Sequence, residues 1–167
     1  MQIIFVSQGA YKMDSTNYQI LKWLNKNARM NASDIASRVN LSVSTVIERI
    51  KKMERDGIIR KYSVELNPGK LNKDVLAIML ISIEHPKYNK PFISAISNNN
   101  SITECMYLAG DSDYMIKIVT DNTKSLESTL NYIKSIEGVS KTRTNIVLSM
   151  PKNDSSVIIC NSEKLFD

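Results

Sequence analysis

Few side chains in this 167-residue sequence are of a type and spacing that could make or break a covalent bond. The single histidine, His85, stands beside Pro86 in a run of helix and strand breakers. No helical or strand spacing brings a nucleophile or carboxylate next to it, and a general base needs such a partner within hydrogen-bond reach. His85 therefore reads as a surface residue. Cys105 and Cys160 lie far apart, each within an apolar stretch. That is a spacing of neither metal ligation nor thiol exchange, so both are expected to be core thiols. No glycine-rich loop of the phosphate-cradling kind is present. The expectation is a protein that is not an enzyme and that carries no metal and no cofactor.

The chemistry that remains is non-covalent recognition, and two groups of residues are suited to it. The first joins hydroxyls to cations: Ser42, Ser44, Thr45, Arg49, Lys51, Lys52, Arg60 and Lys61. A guanidinium can make a bidentate contact to guanine, which suits Arg49 to base reading together with Ser44 and Thr45. A lysine is a point charge on a flexible stem that positions on phosphate without specifying sequence, which suits Lys51, Lys52 and Lys61, with Arg60 beside them. Glu48 is expected to pair with Lys52 one turn on. The net charge of +5 supports this reading through its location. Between Met13 and Tyr62 there are ten basic and five acidic residues, while the twelve bases and twelve acids elsewhere cancel. A surplus confined to one segment is the footprint of a polyanion-binding module, although a merely solvated lysine-rich face has the same charge.

The second group is Gly110, Asp111, Asp113 and Tyr114, with Thr142 and Thr144 further on. Carboxylates on a glycine-containing turn suit the ammonium group of an amino acid, while backbone amides or the two threonines suit its carboxylate. Gly110-Asp111 as a plain turn with Asp113 as its cap is the alternative.

These residues need elements to hold them. Asp14 is placed to cap a first helix lined by Tyr18, Ile20, Leu21, Trp23 and Leu24. Asn31 caps a short second helix with Ile35, Ala36 and Val39 buried, and Asn40-Leu41-Ser42 forms a tight turn into a third. There Val43, Val46, Ile47, Ile50 and Met53 form an apolar stripe at helical spacing that is expected to be buried. Short helix, turn and longer helix with hydroxyls at its start are the pattern of a helix-turn-helix. Gly57 ends the third helix, and the alternation over 58–66 predicts a hairpin, the wing.

Asn67, Pro68 and Gly69 open a linker over 67–74. Beyond it the spacing predicts strands over 75–83, 102–109, 114–119 and 141–150 and helices over 91–96 and 125–136. The order βαββαβ is that of a ferredoxin-like sheet with both helices on one face. Its other face is expected to expose apolar residues from four strands, which favours dimerisation. Two domains of this size are each marginal alone, which points the same way. The expected organisation is an N-terminal extension (1–12), a winged helix-turn-helix (13–66), the linker, a ferredoxin-like domain (75–150) and a C-terminal tail (151–167) with an edge strand at Val157–Cys160. The apolar run 75–83 is far short of the roughly 20 residues of a membrane span, and Ile3–Val6 is too short for a signal-peptide core, so a cytoplasmic location is expected.

Three stretches carry a resemblance to a known family. Met13-Asp14 with Tyr18-Gln19-Ile20-Leu21 looks like its start. Leu41 to Glu54, followed by Asp56-Gly57-Ile58-Ile59, is similar to its recognition-helix signature. Ala109 to Tyr114, with Gly138-Val139 and Thr142-Arg143-Thr144, is similar to its effector-domain signature. In these respects the chain resembles the Lrp/AsnC, or feast/famine, transcriptional regulators over about Met13 to Met150. A departure is Val43, where the family usually has proline. The resemblance implies an α+β protein, a winged helix-turn-helix followed by a ferredoxin-like, RAM-type domain, whose effector loops meet across a subunit boundary. It implies a sequence-specific DNA-binding regulator that responds to an amino acid or related effector. The expected partners are a palindromic operator in double-stranded DNA, the effector, and a second copy in a homodimer able to build tetramers or octamers. The rival reading is an amino-acid-sensing assembly module without DNA binding.

Overall fold

The computed structural model describes residues 13–153. The chain divides between Glu65 and Leu66 into two compact units.

In the first unit, three helices surround a small core. Asp14 caps α1 (Ser15–Lys26) by accepting from the Asn17 amide at 2.7 Å, and Asn31 caps α2 (Ala32–Val39) by accepting from the Asp34 amide at 2.7 Å. Each side-chain oxygen satisfies a donor that the first turn leaves without an intrahelical partner. Ile20 and Leu24 of α1, Ile35 and Ala36 of α2, and Val46 and Met53 of α3 (Val43–Arg55) form the buried cluster. Two of the five apolar residues expected to be buried in α3 are not: Val43 is 42% and Ile47 39% exposed. The helix docks on the narrower line Val46, Ile50 and Met53, spaced i, i+4 and i+7, which leaves Val43 and Ile47 on its flank.

The third helix ends where the sequence places its stop. Gly57 has φ +71, and the amides of Ile58 and Ile59 both turn back to the Met53 carbonyl, which brings the two isoleucines onto the core. The expected hairpin does not follow. Residues 60–67 form no strand pairing, and Val64 is 79% exposed. The alternation of Tyr62, Val64 and Leu66 suits a strand, but nothing between Arg60 and Leu66 can reverse the chain, so the segment has no return strand against which to lay its apolar side.

The second unit is a four-stranded antiparallel sheet in the order β2-β3-β1-β4, with β1 (Val75–Ile83), β2 (Ile102–Tyr107), β3 (Tyr114–Thr120) and β4 (Val139–Ile146). Helices α4 (Asn89–Ser97) and α5 (Thr123–Ser135) cover one face. Their Phe92, Ile96, Leu126 and Ile133 pack on Ala77, Met79, Ile81, Tyr114, Ile116 and Ile118. The fold is thus the expected ferredoxin-like βαββαβ, with β2 ending two residues early and β4 beginning two residues early and stopping at Ile146. The uncovered face is less apolar than expected. Leu76, Ile78, Leu80, Met115 and Val119 are half-buried there, but β4 contributes Lys141, Arg143 and Asn145, and Lys117 pairs with Glu104 at 2.8 Å. Cys105 is also not a core residue. It lies opposite Ile116 on the helix side, but on an edge strand that α4 covers incompletely, beside a cleft of about 120 Å3, and it is exposed. Cys160 and the edge strand expected at Val157–Cys160 lie outside the described residues. No helix among the described residues is long and apolar enough to cross a membrane.

Candidate nucleic-acid interface and ligand region

The turn between α2 and α3 is set by two residues. Asn40 adopts the left-handed conformation (φ 54, ψ 48), and the extended Ser42 caps α3, its Oγ accepting from the Thr45 amide at 3.1 Å. The same oxygen lies 2.9 Å from Ser44 Oγ and 2.8 Å from Thr45 Oγ1, so the start of α3 carries a cluster of three hydroxyls. Asparagine tolerates left-handed backbone better than most residues, which allows so tight a connection.

Opposite the buried line of α3, Ser44, Glu48, Lys51 and Arg55 follow at i, i+4, i+7 and i+11, and all four are exposed. With Lys52 they make the outward face of a helix whose other side is anchored in the core. An open groove of about 890 Å3 runs along this surface to the start of α1. Arg55 is absent from the group singled out in the sequence; the same periodicity that buries Val46 and Met53 is the signal that finds it. The pairing of Glu48 with Lys52 does not form among the described residues. Arg60 and Lys61 are exposed on the extended segment after α3 rather than on a hairpin.

Arg49 points along the flank toward α1. Its Nη1 lies 2.5 Å from Asp14 Oδ2 and donates to Asn17 Oδ1 at 2.9 Å. Burial raises the pKa of Asp14, but the guanidinium and the Asn17 amide outweigh it, and the carboxyl sits below its ordinary value. The arrangement joins the N-cap of α1 to the middle of α3 and uses the guanidinium group within the unit.

In the second unit, the loop after β2 is held by main-chain bonds. Leu108 donates to the Asp113 carbonyl at 2.8 Å, Asp113 donates to the Ile81 carbonyl at 2.9 Å, and Asp113 Oδ2 accepts from the Ile83 amide at 2.7 Å. One carboxylate oxygen of Asp113 is therefore a cap on the end of β1. Tyr114 is buried, its ring 4.9 Å from that of Phe92 and 5.0 Å from that of Tyr107, so it forms part of the core. Gly110 and Asp111 are exposed. Thr142 lies opposite Ile81 and Thr144 opposite Met79 on the other edge of β1, both half-buried. Asp113 and Thr142 thus flank the same end of β1, while Tyr114 turns away into the core. Gly110 is not in the left-handed region, and a Cβ there would meet no atom within 4 Å. Nothing among the described residues accounts for a glycine at this position.

These two regions coincide with two family models. Residues 13–60 match a winged helix-turn-helix DNA-binding model, and residues 76–157 match the Lrp/AsnC ligand binding domain. Among curated proteins, the chain is 32% identical over 145 residues to the HTH-type transcriptional regulator FL11 of Pyrococcus furiosus, covering 87% of this chain and 95% of the relative. It is 29% identical over 150 residues to the leucine-responsive regulatory protein of Escherichia coli K12, covering 88% and 92%. Among solved structures, a Neisseria meningitidis transcriptional regulator in complex with L-Met superposes with a TM-score of 0.83 at 26% identity, over 87% of this chain and 96% of that one. Escherichia coli AsnC superposes with a TM-score of 0.82 at 26% identity, over 90% and 100%. The helix-turn-helix with its cationic outer face and the βαββαβ unit behind it both fall within these matches, and the relatives are regulators rather than enzymes: this chain belongs to the Lrp/AsnC family of DNA-binding transcriptional regulators.

Proposed function

We propose that the protein works in the cytoplasm as a homodimer that reads a palindromic operator in double-stranded DNA. In this reading α3 lies in the major groove. The observation that carries it is the exposed face of α3, where hydroxyls at the helix start give way to cations along its length while the opposite side is locked into the core. Ser42, Ser44 and Thr45 stand at the end that approaches base edges. Lys51, Lys52, Arg55, Arg60 and Lys61 are assigned to phosphate. Arg49, engaged by Asp14 and Asn17, holds α1 on α3 rather than reading guanine.

A second site follows from the loop after β2. An amino acid or close relative binds there, with the exposed Asp111 and the remaining Asp113 oxygen toward its ammonium group and Thr142 and Thr144 toward its carboxylate. Tyr114 is the packed floor beneath. The glycine at 110, unexplained within one chain, fits a close approach by ligand or partner backbone. Since Gly110 and Asp111 face solvent, the wall that closes the site comes from a second subunit, in tetramers or octamers as well as in the dimer. The neighbour solved with L-Met and the relative named for its response to leucine support an amino acid as the ligand class.

Two measurements test the two halves separately. Binding to duplex DNA should fall steeply between low and high salt, because phosphate contacts release counterions; an unchanged binding curve would remove the interface. Titration calorimetry against the full set of amino acids should give heat with at least one, together with a change in oligomer size by light scattering. Absence of both would remove the effector site.

A further inference from the structure

The acid in the middle of the outward face of α3 has no assigned role. Glu48 is exposed, one turn after Ser44 and one turn before Lys51 and Lys52, and no hydrogen bond or ion pair engages it among the described residues. The hydroxyls of Ser44 and Thr45 already lie 2.9 and 2.8 Å from Ser42 Oγ. Glu48 is thus a free acceptor, set among cations on a surface that meets a polyanion.

An unpaired carboxylate in that position is repelled by phosphate and loses its water on entering a groove. A hydrogen-bond donor on a base edge offsets both costs. Two bases present a donor in the major groove, cytosine through its N4 amino group and adenine through N6. Adenine sets the N7 acceptor beside its amino group, so a carboxylate that takes the N–H also faces a lone pair. Cytosine has no acceptor on its own edge there, and guanine and thymine present acceptors alone. Resting on the reading of α3 as the helix in the groove, we propose that Glu48 selects cytosine at one position of each half-site. It adds one base preference to those that the hydroxyls of Ser42, Ser44 and Thr45 supply on an otherwise cationic surface.

Selection from random duplexes by the wild-type protein, Glu48→Ala and Glu48→Gln tests this. The wild type should enrich cytosine at one position per half-site, by about tenfold over other bases. Glu48→Ala should lose that preference alone, keep the others and bind unrelated DNA more tightly. Glu48→Gln should move the preference to adenine, because an amide offers a donor to N7 and an acceptor to N6. Melting temperatures should be unchanged, since the side chain is exposed and unpaired. The same base preferences in all three proteins, or a wild-type site without the cytosine, would overturn the role of Glu48 and leave the interface standing. A wild-type protein that enriches no sequence would overturn the α3 reading and Glu48 with it.

Discussion

The cluster of Arg49, Asp14 and Asn17 ties a guanidinium on α3 to the first turn of α1. Asp14 already accepts from the Asn17 amide as the cap of α1, so the ion pair with Arg49 ties the first turn of one helix to the centre of another. With the two side chains 51% and 30% exposed, solvent screens much of the attraction. Asp14→Asn and Arg49→Ala, made singly and together, should show a coupling of about 0.5–1 kcal/mol in denaturant unfolding. The sign with pH follows from the direction of the shift. The folded carboxyl lies below its ordinary value of 3.8, so its contribution is complete above that pH and drains away as pH falls through the folded value. Asp14→Asn should therefore lose stability at neutral pH and show a smaller further loss in acid than the wild type. Equal acid sensitivity of the two proteins would contradict the pairing.

At the scale of elements, two glycines separate what the fold requires from what it leaves open. Gly138 opens β4 at φ +86, and a Cβ there would lie 2.2 Å from Tyr88 Cγ in the turn ahead of α4. Gly138→Ala should lower stability by about 1–3 kcal/mol, read as a drop in melting temperature, because strained backbone and the tyrosine ring both resist it. Gly110 has neither constraint. Gly110→Ala should melt like the wild type yet weaken the calorimetric signal for the amino acid. If the binding heat is unchanged, close approach at that loop is not part of the effector site. The caps belong to this scale as well. Asn31 and Ser42 each satisfy a first-turn amide, and alanine at either should cost about 1 kcal/mol.

Across the whole molecule, the net charge of +5 belongs to the segment that folds as the helix-turn-helix, while the charges outside it cancel. Association with DNA is then driven by one unit, and the second unit is free to carry ligand and subunit contacts. Lys51→Ala should weaken binding to all sequences alike and lower the slope of log affinity against log salt by about 1. A loss confined to one sequence would instead place Lys51 on a base. The uncovered sheet face combines half-buried Leu76, Ile78 and Leu80 with the charged edge of β4, so it can join copies of the chain without exposing a wholly apolar surface.

What could be read directly from the chain is what depends on neighbours in sequence. The caps at Asp14, Asn31 and Ser42, the glycine stop at 57, the helical period of α3 and the strand and helix order of the second unit are all local signals, set within one or two turns by donors left unpaired and by side-chain period. The helix-turn-helix signatures lie on those same elements. Tertiary structure alone decided the rest. It fixed which of the five apolar residues of α3 meet the core, because that depends on how α1 and α2 cross it. It turned Arg49 toward an acid 35 positions away and left Glu48 without a partner among the described residues. It gave residues 58–66 no return strand, left Cys105 on an uncovered edge and packed Tyr114 between two aromatic rings. Each of these outcomes depends on a partner distant in the chain, and neither period nor spacing carries information about which distant residue that partner will be.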